Sequence, residues 1–158
     1  MTAAPPPAPA PRLDETDKQI LRALQRDGRA SYAELGPAVG LSAPAARARV
    51  QRLVETGVVR VVGVTDPIAL GLPTMAMLGV RADGDIRAAA DAVAACEGVI
   101  YVVLTAGSFD LFVEVVCHNP AELLDLVNDR IKAVPGVTHV ETFTYFGIHT
   151  HRFVWDVP

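Results

Sequence analysis

The chain is 158 residues long, with 51% hydrophobic and 20% charged residues, which suits one ordinary domain or two small ones and argues against wholesale disorder. No apolar run reaches the roughly 18 residues of a membrane-spanning helix, and two cysteines, Cys96 and Cys117, are too few for a disulfide framework or a four-thiolate zinc site. The formal charge of -4 speaks against a nucleic-acid partner, but residues up to Val64 hold nine Lys/Arg against six Asp/Glu, net +3, and the remainder five against twelve, net -7, so one half alone is suited to meet a polyanion.

Residues 1–12 are Pro/Ala-rich and lack the apolar segment of a secretory signal. They read as a flexible tail, and a reducing cytoplasm is the expected compartment. Residues 13–64 carry three helix starts. Asp14 is placed to cap the first helix, with Asp17 adding negative charge near its N-terminus, Ile20, Leu21 and Leu24 as its apolar stripe, and Asp27-Gly28 as its stop. Ser31 and Glu34 have capping-box spacing for a second helix, which Gly40 ends. Gly36-Pro37 lies inside that helix, where proline forfeits an amide bond, so the helix is expected to be short, kinked or broken. Ser42 caps a third helix running to about Thr56. Two short helices, a glycine turn and a longer third helix form a helix-turn-helix order. The β-branched run Val58–Val64 then reads as a strand or hairpin, the wing of such a unit.

At 100° per residue, Ala43, Ala46, Val50 and Leu53 share one stripe of the third helix and must face the core. Pro44, Ala45, Ala48, Gln51 and Arg52 fall opposite, with Arg47 and Arg49 on the two edges. Small residues near the helix start permit deep entry into a major groove, and arginines further along can reach phosphates or a guanine edge. The expected DNA-binding set is Ser42, Pro44, Ala45, Arg47, Ala48, Arg49, Gln51 and Arg52. Few of these side chains read bases bidentately, so specificity is expected to rest partly on DNA shape and repeated half-sites.

After a linker at 65–73, residues 74–158 read as strand, helix, strand, strand, helix, strand, the ferredoxin-like βαββαβ order. The expected strands are Thr74–Val80, Val99–Thr105, Phe109–Val116 and Val137–Thr150; the helices are Asp85–Cys96 and one starting at Asn119-Pro120, with Leu123, Leu124, Val127, Ile131 and Val134 inward. Along the third strand, alternation places Phe109, Leu111, Val113 and Val115 on the core face and Phe112 and Val116 on an open sheet face. An apolar outer face on a two-layer domain calls for a partner, and homodimerisation is expected there.

In order and spacing the sequence resembles the Lrp/AsnC (feast/famine) transcription factors over about Leu13 to Thr150. The residues carrying the resemblance include Leu13-Asp14-Glu15-Thr16-Asp17, Asp27–Leu35, Val39-Gly40-Leu41-Ser42, Arg49–Leu53, Gly57-Val58-Val59, Asp66-Pro67, Leu70-Gly71, Thr105–Asp110 and Pro135-Gly136-Val137. The resemblance implies an α+β chain, a winged helix-turn-helix followed by a ferredoxin-like effector domain. It further implies dimers assembling to octamers, double-stranded DNA as partner, and an amino acid or related metabolite as effector with no cofactor. The run Arg60-Val61-Val62-Gly63 departs from it, lacking the usual Gly-aromatic pair of the wing. Family effectors sit between neighbouring dimers near the matching loop and the last strand, which carries the role to Thr105, Gly107, Asp110, Phe143, Thr144 and Tyr145. In purely chemical terms Gly107 permits close approach to backbone, and Asp110 suits an α-ammonium group.

His149-x-His151 places two imidazoles on one strand face, but no third ligand completes a metal site, so none is expected. Two other readings remain. Sirohaem decarboxylases resemble the same scaffold and would need pocket histidines, the candidates being His118, His139, His149 and His151. A ligand-sensing partner without DNA binding is the other. The histidines form no persuasive site, and no enzyme activity is expected; the Gly36-Pro37 kink and the acidic total favour the ligand-sensing alternative.

Overall fold

The computed structural model describes residues 12–150 and Val157. It divides into two compact units, one running up to Gly63 and the other Val64–Thr150. Val157 packs in the core of the first, so an effector domain drawn as 74–158 by chain order does not follow the packing at that residue.

The first unit holds α1 (Glu15–Arg26), α2 (Tyr32–Ala38) and α3 (Ala43–Glu55). Helix α1 begins in a reciprocal capping box: Asp14 Oδ1 accepts from the Asp17 amide at 2.8 Å, and the Asp14 amide donates to Asp17 Oδ2 at 3.2 Å. Ser31 and Glu34 repeat the arrangement at α2, satisfying amides that have no partner within the helix. Ile20, Leu21, Leu35, Val50 and Leu53 form the core with Val157. Helix α2 stays helical through Pro37 and ends one residue later, so the Gly-Pro pair shortens the helix. Gly36 is there for space. A Cβ at this position would lie 2.8 Å from the Leu41 carbonyl oxygen and 3.0 Å from the Ser42 carbonyl carbon, so the turn into α3 closes directly over it.

The expected ribbon at Val58–Val64 is not formed; these residues lie in no strand. The Val58 and Val59 amides donate to the Leu53 carbonyl at the end of α3. Val61, Val62 and Val64 expose 58%, 66% and 59% of their surface. A strand needs a partner for its amides and carbonyls, and none lies beside this run among the described residues.

The second unit is β1 (Thr74–Ala82), α4 (Ile86–Ala94), β2 (Val99–Leu104), β3 (Leu111–Cys117), α5 (Pro120–Asp125, continued as a wider π-turn over Leu126–Ile131) and β4 (Val137–Thr144). The sheet order is β2-β3-β1-β4 with every neighbouring pair antiparallel. This is the ferredoxin-like arrangement that the βαββαβ order predicts. Ala76, Leu78 and Val80 of β1 and Leu111, Val113 and Val115 of β3 face the helices, where Ala89, Val93, Leu123 and Ile131 close the core. Leu124 is 59% exposed, and Leu126 takes the inward place expected of it. Leu126 lies nearer in helical phase to Leu123 than does the adjacent Leu124.

Phe109 precedes β3 and leaves the expected alternation. Its ring lies over Gly79 on the outer sheet face, where a Cβ on Gly79 would meet three of its ring atoms at 2.8 Å. It also lies near Phe112 (centroids 5.7 Å apart) and edge-on to Phe143 (6.3 Å). Val116 is buried rather than open, in a cleft with Leu72 and Ile100. The last strand stops at Thr144, short of the expected Thr150.

Candidate nucleic-acid interface and effector region

Helix α3 presents the stripe expected of it. Ala46, Val50 and Leu53 are buried and Ala43 half-buried, while Pro44, Arg47, Ala48, Gln51 and Arg52 are exposed. Ser42 turns its hydroxyl onto the Ala45 amide, at 3.4 Å, as the N-cap, and Ala45 is half-buried. Arg47 carries no ion pair among the described residues.

Arg49 and Arg52 differ. Arg49 Nη1 donates to Asp17 Oδ1 at 3.0 Å and also pairs with Asp14. Arg52 Nη2 donates to Asp17 Oδ2 at 2.6 Å. The Asp17 side chain is 1% exposed, whereas those of Arg49 and Arg52 keep 32% and 48%. Burial pushes the Asp17 carboxyl up, but the hydrogen bonds from Arg52 and Arg49 outweigh it and hold it below the ordinary carboxylate value. The hydrogen bond from Arg49 does the same for Asp14. Arg49 and Arg52, two of the three arginines expected to reach DNA, therefore hold acidic partners within the unit while keeping part of their surface exposed. Two acids three residues apart facing two arginines three residues apart was the available sequence signal, since both pairs recur on one helix face.

In the second unit the expected effector residues are not gathered in one place. Asp110 Oδ2 accepts from the Ala82 amide at 2.9 Å, at the register shift between Arg81 and Ala82. The Thr105 amide donates to the Asp110 carbonyl at 2.9 Å, and Arg81 Nε to the Ser108 carbonyl at 2.8 Å. These bonds fold the loop holding Gly107 onto one end of β1. Thr144 pairs with Ala76, and the Tyr145 amide donates to the Met75 carbonyl, at the other end. Six residues of strand separate Ala76 from Ala82, roughly 20 Å. Phe143 alone bridges toward the loop, through Phe109. Tyr145 lines a cleft of about 240 Å³ with Pro67, Pro73, Met75 and Phe146, and its hydroxyl donates to Glu114 Oε1 at 3.0 Å. Burial, with the Glu114 contact behind it, pushes the Tyr145 phenol up to about 12.

Of the candidate metal residues, His151 lies outside the described residues. His118 Nδ1 lies 2.8 Å from Glu122 Oε2, and no group of three His, Cys, Asp or Glu able to hold a metal ion occurs among the described residues. No described helix is long and apolar enough to cross a membrane.

A capped helix-turn-helix with an exposed third helix, joined to a ferredoxin-like unit, defines a DNA-binding transcriptional regulator with a ligand-binding domain. The comparisons agree. Residues 13–54 match the AsnC-type helix-turn-helix domain and residues 75–153 the Lrp/AsnC ligand binding domain; the chain belongs to the Lrp/AsnC family. It is 32% identical to the HTH-type transcriptional regulator FL11 of Pyrococcus horikoshii, over 92% of this chain and 96% of that one. It is 35% identical to the leucine-responsive regulatory protein of Rhizobium meliloti, over 82% and 86%. A transcriptional regulator of Neisseria meningitidis, solved as an L-Met complex, superposes with a TM-score of 0.82 at 23% identity, covering 92% of this chain and 97% of that one. The family is one of regulators, not enzymes.

Proposed function

We propose that the exposed face of α3, through Pro44, Arg47, Ala48 and Gln51 with Ser42 and Ala45 at its start, enters the major groove of double-stranded DNA. The observation that carries this is Arg47, a cation on the outward face with no ion pair among the described residues, available to a phosphate or a guanine edge. The second unit assembles the chain as a homodimer, and dimers further, through the sheet face bearing Tyr101, Phe112 and Phe143. Tyr101 and Phe143 expose 54% and 43% of their surface, which a soluble domain covers when a partner is available. The effector is an amino acid or related metabolite, in keeping with the L-Met complex of the Neisseria regulator. Thr105, Gly107 and Asp110 lie at one end of β1 and Thr144 and Tyr145 at the other, so a site using both groups is completed by a second copy. The protein acts in the cytoplasm.

The test is selection of fragments of the source genome at two salt concentrations, followed by sequencing. One enriched motif, bound with an affinity that falls steeply with salt, is the expected result. Absence of both enrichment and salt dependence overturns the DNA-binding reading and leaves a ligand sensor. Sedimentation with and without a panel of amino acids tests the assembly and the effector class.

A further inference from the structure

We infer that Asp17 is a positioning residue of the DNA-reading helix: it withdraws Arg49 and Arg52 from the cationic surface and leaves Arg47 to supply it. This rests on the reading of α3 as the helix that meets DNA. Both oxygens of the Asp17 carboxylate are occupied, Oδ1 by Arg49 at 3.0 Å and Oδ2 by Arg52 at 2.6 Å. The Asp14 amide adds a third donor at 3.2 Å. The Asp17 side chain is 1% exposed beneath guanidiniums that keep 32% and 48% of their own surface, so loss of either arginine strips a donor from a desolvated carboxylate, which is unfavourable. Asp14 meets Arg49 from the solvent side while capping α1 through the Asp17 amide. Two carboxylates thus face two guanidiniums, and the group carries no net charge toward a polyanion.

The consequence is thermodynamic. A cation that neutralises a phosphate releases counterions and steepens the salt dependence of binding, whereas one already neutralised within the protein does not. The pairing also ties the middle of α3 to the first turn of α1, fixing the direction in which Arg47 points.

The experiment measures the slope of log affinity against log salt for the full chain on a short mixed-sequence duplex. Arg47→Gln is expected to reduce the slope by about one. Arg49→Gln and Arg52→Gln are expected to leave it unchanged. Asp17→Asn keeps the shape and removes the acidic partner of Arg52, while Arg49 keeps Asp14, and is expected to steepen the slope by about one. Asp14→Asn steepens it less. A variant that is merely less stable loses active protein without changing the slope of what remains, so the slope separates positioning from a purely structural role. A drop of about one for Arg49→Gln or Arg52→Gln, without steepening in Asp17→Asn, overturns the inference. Should Asp17→Asn fail to fold, Asp14→Asn and the two arginine variants decide it. An unchanged slope for Arg47→Gln overturns instead the reading of the outward face of α3, which the other variants do not touch.

Discussion

Arg52, near the end of α3, reaches Asp17 in the first turn of α1, Nη2 to Oδ2 at 2.6 Å. The pair joins the first helix to the last across the helix-turn-helix, and it buries one carboxylate to do so. Arginine suits this role because its planar fork stays charged and holds its geometry.

The first unit is therefore expected to be acid-sensitive. Asp14, Asp17 and Glu34 are all held below their ordinary values: Asp14 by Arg49, Asp17 by Arg52 and Arg49 against its burial, and Glu34 by the Ser31 amide and hydroxyl. A lowered folded-state value stabilises above the unfolded value near about 4, and the contribution is lost as pH falls through the folded value. Thermal melts from neutral pH downward should show the melting temperature falling below about pH 4. Asp17→Asn should be less stable at neutral pH by about 2 kcal/mol and show a shallower acid limb. An equally steep limb in Asp17→Asn would remove Asp17 as a source.

Gly36→Ala should destabilise the first unit by about 1–3 kcal/mol. The added Cβ meets backbone, at 2.8 Å from the Leu41 carbonyl oxygen and 3.1 Å from the Ala43 nitrogen, and backbone does not yield as a side-chain tip does. Denaturant unfolding followed by circular dichroism reads the loss. A neutral result would mean that the α2–α3 turn is looser than described.

Gly79→Ala should displace the Phe109 ring, which lies 2.8 Å from the new atom, and with it the contacts to Phe112 and Phe143. Overpacking of this kind costs about 1–3 kcal/mol. If this face forms the homodimer, sedimentation should also show weaker self-association. Phe109→Leu in the same background should restore part of the stability, since a smaller side chain gives room; failure to do so would place the strain elsewhere.

Tyr145 should titrate late, near 12, because burial and the adjacent Glu114 both favour the neutral phenol. Phenolate absorbance against pH reads this directly, with Tyr145→Phe identifying the late step and Glu114→Gln moving it down toward about 10. A raised value stabilises fully below about 10 and is lost as pH rises toward the folded value, so the second unit should weaken in strong alkali.

Much of the molecule was legible in the chain itself. The helix starts at Asp14, Ser31, Ser42, Asp85 and Asn119 follow from side chains that bond their own first-turn amides. Such signals are local, contained within four residues, and survive without knowledge of the fold. The core stripe of α3 and the alternation of β3 from Leu111 to Val115 are periodic for the same reason.

Contacts between residues distant in sequence were decided only by the tertiary structure. Arg49 and Arg52 have the spacing and charge of DNA contacts, and no local rule shows that Asp17, 32 and 35 residues earlier, takes them first. Phe109 leaves its alternation because Gly79, on another strand, offers a bare surface for its ring. Val58–Val64 has the composition of a strand but no partner strand beside it among the described residues. Capping and periodicity are properties of one segment. A salt bridge, a ring stacked on a glycine and a paired strand are properties of two, and their energies exist only once the fold has brought the second into place.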